Sequence, residues 1–206
     1  MNNKFYQFSS KLYLNTIHVW PKIAIDFAGS DKERPYWLKN IDMTLWFGEY
    51  PPSLEFPVEF IVRGGTKLRD LIDTRTVTLL LISDHVRQVF EDNCVTGWKP
   101  YDVIVRRKSG ELIPGFNGIS IVGRLPENWY SDGAELPDIF RVPPSWTICT
   151  PRLLKILKKN KINCFELSPI DKETCERVFY FREKYWHSDS QYEHSDFFDR
   201  IYESLR

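Results

Sequence analysis

The sequence predicts an α+β fold, a mainly antiparallel or mixed sheet with a few short helices. Three features carry this. Short runs rich in β-branched and aromatic residues recur along the chain, most clearly at Val77–Ile82 and Tyr101–Arg106. Two short segments, after Ser83 and after Thr150, instead space their apolar residues as one helical stripe. Finally, the strand–helix–strand pattern occurs twice, over 77–106 and 146–170. Aligning Ser83 with Thr150 matches Val86 to Leu153, Val89 to Ile156, Phe90 to Leu157, Asn93 to Asn160, Val95 to Ile162 and Trp98 to Phe165. This predicts two related units, although any two strand–helix–strand units share part of such a pattern. With 206 residues, 42% of them hydrophobic, the chain suits a single domain over 1–206, with possible halves 1–125 and 126–206.

Taken in order, Lys4–Ser9 is a short aromatic strand candidate, and Ile17–Phe27, interrupted by Pro21, suits an edge strand. Residues 29–35 form a polar loop. Ile41–Phe47 alternates as a strand would, and Tyr50-Pro51-Pro52-Ser53 ends it. Val58–Val62 is another strand, stopped by Gly64-Gly65, after which Thr66 is placed to cap a short helix through Leu71 and Ile72. Val77–Ile82 leads to Ser83, an N-cap, with Asp84 in the positive first turn. Val86, Val89 and Phe90 give the buried stripe, and Asn93 suits a left-handed helix end. Tyr101–Arg106, the turn Lys108-Ser109-Gly110-Glu111 and Ile119–Val122 form a hairpin.

Leu125–Pro144 holds four prolines and is expected to be irregular. The second unit follows: Trp146–Cys149 as strand, Thr150 as N-cap, and Pro151 at the first helical position, where a missing N–H costs nothing. Leu153, Leu154, Ile156 and Leu157 form its stripe, and Phe165–Ile170 returns as strand. Glu173–Trp186 is compatible with helix or strand. Ser195 caps a final helix with Phe197, Phe198, Ile201, Tyr202 and Leu205 on one face.

Twenty-eight basic residues balance twenty-eight acidic ones, so no global field draws the chain to nucleic acid or membrane. No apolar run approaches the ~20 residues of a membrane span, and the opening residues hold no signal-like stretch. The expected location is cytoplasmic. There the four scattered cysteines, Cys94, Cys149, Cys164 and Cys175, are expected to be free thiols.

The motifs of catalysis are weak. No G-x-S-x-G is present, and Cys94 and His85 fall at opposite ends of one helix. His187, Asp189, Glu193 and His194 match no metal-binding helix face. Gly64-Gly65-Thr66-Lys67 lacks the spaced glycines of a phosphate loop. No enzyme activity, metal or cofactor is expected. Two charged features remain. Glu127, Asp132, Glu135 and Asp138 surround Trp129 and Tyr130 without a base between them, the composition of a surface for a basic protein. Arg152, Lys155, Lys158 and Lys159, with Lys161, make the second helix basic, and with Arg106-Arg107-Lys108 they are the alternative, anion-binding site.

The blocks Leu80-Leu81-Ile82-Ser83-Asp84-His85-Val86-Arg87-Gln88-Val89-Phe90-Glu91-Asp92-Asn93 and Thr96-Gly97-Trp98-Lys99-Pro100-Tyr101-Asp102-Val103, then Val122-Gly123-Arg124, resemble immunity proteins of bacterial polymorphic toxin systems. The group most similar includes the double-CxxCG family, and Cys149-Thr150-Pro151-Arg152 resembles the second unit of such relatives. The paired CxxCG motifs are absent, so their zinc does not carry over. The resemblance spans roughly residues 68–170. It implies a non-enzymatic protein that binds a cognate toxin in the cytoplasm, with the residues of 127–138 as the candidate contact. The alternatives are a nucleic-acid or phosphoryl-group binder using 151–161, or an enzyme whose site assembles only in the fold.

Overall fold

The computed structural model describes residues 5–11, 15–23, 45, 48, 50, 52, 54–74, 80–124, 135–142 and 146–170. Twelve strands and two helices fall within them: β1 (Tyr6–Ser10), β2 (His18–Pro21), β3 (Val58–Gly64), β4 (Leu71–Asp73), β5 (Leu80–Ser83), α1 (Asp84–Asp92), β6 (Trp98–Tyr101), β7 (Val103–Arg106), β8 (Leu112–Ile113), β9 (Phe116–Ile121), β10 (Ile139–Val142), β11 (Trp146–Cys149), α2 (Pro151–Lys159) and β12 (Phe165–Pro169). The α+β class and the two related units are both present.

The larger sheet runs β6-β9-β5-β4-β2-β3-β7-β8 and the smaller β10-β11-β1-β12. Only Asp102 separates β6 from β7. Together they pair with β9 and β8 as one long hairpin, from Trp98↔Ile121 to Arg106↔Leu112. The far side of β7 pairs with β3 and the far side of β9 with β5. The larger sheet therefore closes on itself as a small barrel, which leaves no long free edge. Alternation along each strand does the rest. Val19, Val58, Phe60, Val62, Ile72, Leu81, Tyr101, Val105 and Ile113 point inward into one apolar cluster, which also takes in Leu45 and Leu54. The Tyr101 ring lies over Gly118, where any Cβ would collide with it.

The two units match strand by strand. In the first, α1 carries the chain from β5 to β6 across the intervening antiparallel β9, with β4 on the outside. In the second, α2 carries it from β11 to β12 across antiparallel β1, with β10 outside. The registers agree. Ile82 faces Leu71 and Asn117, as Cys149 faces Ile139 and Tyr6. Trp98 faces Ile121, as Phe165 faces Ser10. The helix ends agree too. Asn93 and Asn160 cap both helices through side-chain bonds to Val89 O and Ile156 O. The amides of Val95 and Ile162 then bond back to Phe90 O and Leu157 O. The difference is chain order, because the middle strand comes last in the first unit and first in the second.

Both helices and both units share one apolar cluster. It includes Phe8, Ile82, Val86, Phe90, Ile119, Ile139, Leu153, Leu157 and Phe165. The Phe90 ring packs edge-on against Trp98 at 5.2 Å and lies parallel to Phe165 at 6.3 Å, so aromatic pairs bridge the units.

Several expectations need correction. Leu71 and Ile72 lie in β4 and not in a helix after Thr66, because the barrel needs a strand between β2 and β5. The left-handed residue at the end of α1 is not Asn93 but the next one, Cys94 (φ 47°), and Lys161 (φ 56°) holds the matching place after Asn160 ends α2. Thr150 stands at the N-cap position of α2 without a side-chain bond to the helix, whereas Ser83 Oγ accepts from Val86 N–H at 3.3 Å. The expected strand Ile41–Phe47 lies almost wholly outside the described residues. Glu173–Trp186 and the helix after Ser195 lie entirely outside them.

Gly97 (φ 89°) and Gly123 both approach the Ile139 carbonyl, where the units join, and a Cβ at either would collide with it. Gly97→Ala should therefore destabilise the fold by about 2 kcal/mol or more, beyond the roughly 1–2 kcal/mol of the left-handed backbone alone. Urea unfolding followed by circular dichroism measures this.

Cys94, Cys149 and Cys164 are free thiols. Burial, reinforced by the nearby charges of Asp138 and Asp70 respectively, pushes Cys149 and Cys164 up to about 12. Both thus stay protonated and unreactive at pH 8. Iodoacetamide on the native protein at pH 8 should label exposed Cys94 and spare those two, read by peptide mass mapping.

Candidate interaction face

Among the described residues, the outer surface of the barrel is covered on one side only. Over β4, β5, β9 and β6 it packs into the shared helix core. Over β2, β3, β7 and β8 the outward side chains meet water. In-register pairing lines up Trp20, Ile61, Arg106 and Leu112 as a row across these four strands. Trp20 is 45% exposed and Leu112 51%, with Ile61 and Arg106 half-buried between them. Glu59 and Ile104 form the neighbouring row. The Arg63 guanidinium stands 5.3 Å over the Trp20 ring, a cation–π contact at an exposed site. Arg106 Nε donates to Glu59 Oε1 at 3.0 Å. Exposed Trp and Arg on a rigid sheet are what dominates binding energy at protein interfaces.

Sequence reasoning did not single out Trp20, Ile61, Arg63 or Leu112. The signal was present in Val58–Gly64, where Val58, Phe60 and Val62 alternate inward and leave Glu59, Ile61 and Arg63 outward. Ile61 is the one apolar residue among these three outward positions of the strand. Only the fold shows that Trp20 and Leu112 complete its row.

The acidic set divides. Glu127, Trp129, Tyr130 and Asp132 lie outside the described residues, and Glu135 is exposed. Asp138, expected to face a basic partner, is instead buried, 4% exposed. Its carboxylate accepts from Thr96 N–H at 2.9 Å, from the Thr96 and Thr150 hydroxyls at 3.3 Å, and from Arg152. A carboxylate so engaged offers nothing to a partner. In the first unit Asp70 holds the matching place, accepting from the Ser83 hydroxyl at 2.8 Å.

The basic set is also thinned. Arg152 turns inward to Asp138 and to Asn93 O, tying α2 to the end of α1. Lys155, Lys158 and Lys159 remain exposed along α2. Of Arg106-Arg107-Lys108, Arg106 pairs with Glu59 and Arg107 with Glu111 at 3.2 Å, while Lys108 is exposed.

One hydroxyl cluster invites a catalytic reading. Tyr50 Oη lies 2.7 Å from Ser120 Oγ, and Lys99 Nζ stands 4.3 Å over the Tyr50 ring. Each bond, however, serves to anchor Leu45, Gly48 or Tyr50 on the barrel. Ser120 donates to Leu45 O, and Lys99 donates to Gly48 O at 3.0 Å. Burial raises the pKa of Tyr50, and raises that of Tyr101 well above the usual range, so both phenols stay protonated near neutrality and neither acts as a base. Among the described residues no group of His, Cys, Asp and Glu could hold a metal ion.

Asp138→Ala should cost about 1–3 kcal/mol, since it leaves the Thr96 amide, two hydroxyls and Arg152 without the acceptor they share. Lys158→Ala should stay within about 0.5 kcal/mol. Thermal unfolding of both variants, compared side by side, checks the contrast. No family model matches the chain, and no curated protein matches it.

Proposed function

We propose that this chain is a non-enzymatic protein-binding protein, an immunity protein that neutralises a cognate bacterial toxin by direct binding in the cytoplasm. The observation that supports the reading is the open barrel face. There Trp20 and Leu112 are exposed, and Arg63 and Arg106 are held in place beside them by a ring contact and an ion pair. A pre-organised face of this composition binds without ordering costs. It requires no reactive group, since neutralisation by binding is stoichiometric. The sequence resemblance over residues 68–170 points the same way.

Exposed Lys155, Lys158 and Lys159 favour a second reading, a site for nucleic acid or phosphoryl groups on α2. The two readings separate cleanly. Co-expression with toxins encoded in neighbouring reading frames should restore growth against one of them, and the pair should co-purify. Trp20→Ala should weaken protection while leaving the expression level unchanged. Protection against none of them, together with a salt-sensitive gel shift that Lys155→Glu/Lys158→Glu abolishes, favours the second reading.

A further inference from the structure

The open face is cationic as well as apolar. Glu59 is engaged with Arg106 at 3.0 Å and Glu111 with Arg107 at 3.2 Å, while exposed Asp102 stands at the opposite end of β7. Arg63 and Lys108 are exposed, and neither forms an ion pair with a described carboxylate. Their placement follows from register. β3 and β7 run parallel with Ile61 beside Arg106, so Arg63 and Lys108 both lie beyond the same end of the row. The face therefore offers apolar Trp20, Ile61 and Leu112 around Arg106, with two cations along one end that pair with no described carboxylate.

Such a surface selects its partner by chemistry. A carboxylate meeting Arg63 forms a charge-assisted bond of the strong kind, and opposite charge speeds encounter. A single-stranded nucleic acid is the other polyanion to weigh. It needs several rings on which to stack bases. This face has one ring, Trp20, among aliphatic side chains, and Glu59 and Glu111 would stand against phosphates. An acidic polypeptide suits it better.

We propose that the face over β2, β3, β7 and β8 docks an acidic polypeptide surface from which one apolar side chain projects into the seat between Trp20, Ile61 and Leu112. This rests on the protein-binding reading above and names the chemistry of the partner. Its carboxylates lie against Arg63 and Lys108. The Glu59–Arg106 pair holds the floor of the seat in place.

The test uses random phage-displayed peptides panned on the full chain, followed by fluorescence anisotropy with the selected peptides in synthetic form. Selected sequences should be rich in Asp and Glu and carry an aromatic or aliphatic residue. Trp20→Ala and Arg63→Glu should each weaken binding about ten-fold or more. Lys155→Glu/Lys158→Glu should leave it unchanged, and added salt should reduce it. Basic sequences, or wild-type binding by both face variants when circular dichroism shows them folded, overturn the proposal. Acidic peptides lost only in Lys155→Glu/Lys158→Glu overturn this face but leave the protein-binding reading standing. Selection of no peptide, with binding of a labelled oligouridylate, overturns both.

Discussion

The fold depends on one buried carboxylate. Asp138 stands just ahead of β10 and collects Thr96, Thr150 and Arg152, groups from the exit of α1 and the entry of α2. Burying a carboxylate is costly unless its lone pairs are filled. Here they are filled by donors from both units, so the group is tolerable only while the units stay docked. That condition converts a local desolvation penalty into a constraint on the whole arrangement. The approach of Gly97 and Gly123 to the Ile139 carbonyl is the neighbouring consequence, since any side chain there would hold the units apart.

The two units share a plan but not a fate. In the first, β4 continues into β2 and β3, and the sheet rolls up into the barrel. In the second, four strands suffice, and no barrel forms among the described residues. The barrel gives the first unit a second apolar cluster of its own and a wall that faces away from the helices. That wall is the open face. The open face thus arises where the two units differ, and the elements they share go into packing.

What was legible in the sequence was local and periodic. Val86, Val89 and Phe90, and their counterparts Leu153, Ile156 and Leu157, announce both helices and are all buried. The alignment of Ser83 with Thr150 anticipated the repeat, and the structure extends it to hydrogen bonds and register. The rest depends on contacts distant in sequence. β1 reaches its place between β11 and β12 only because the first and last parts of the chain meet. No period in the sequence encodes that. Tyr101–Arg106 read as one strand, and its division at Asp102 marks where the barrel closes. Asp138 looked like one charge of an acidic surface, since composition does not distinguish a solvated carboxylate from one filled by Thr96 and Arg152. Trp20 and Leu112 are ninety-odd positions apart, and only strand register makes them neighbours.

The placement of β1 has a consequence for how the molecule is born. Tyr6–Ser10 leaves the ribosome long before its partners Trp146–Cys149 and Phe165–Pro169. The first unit, with its strands and helix between Leu71 and Ile121, is complete well before that point. During translation β1 is therefore a strand with Phe8 exposed and no sheet to join, and the second unit is the last to assemble.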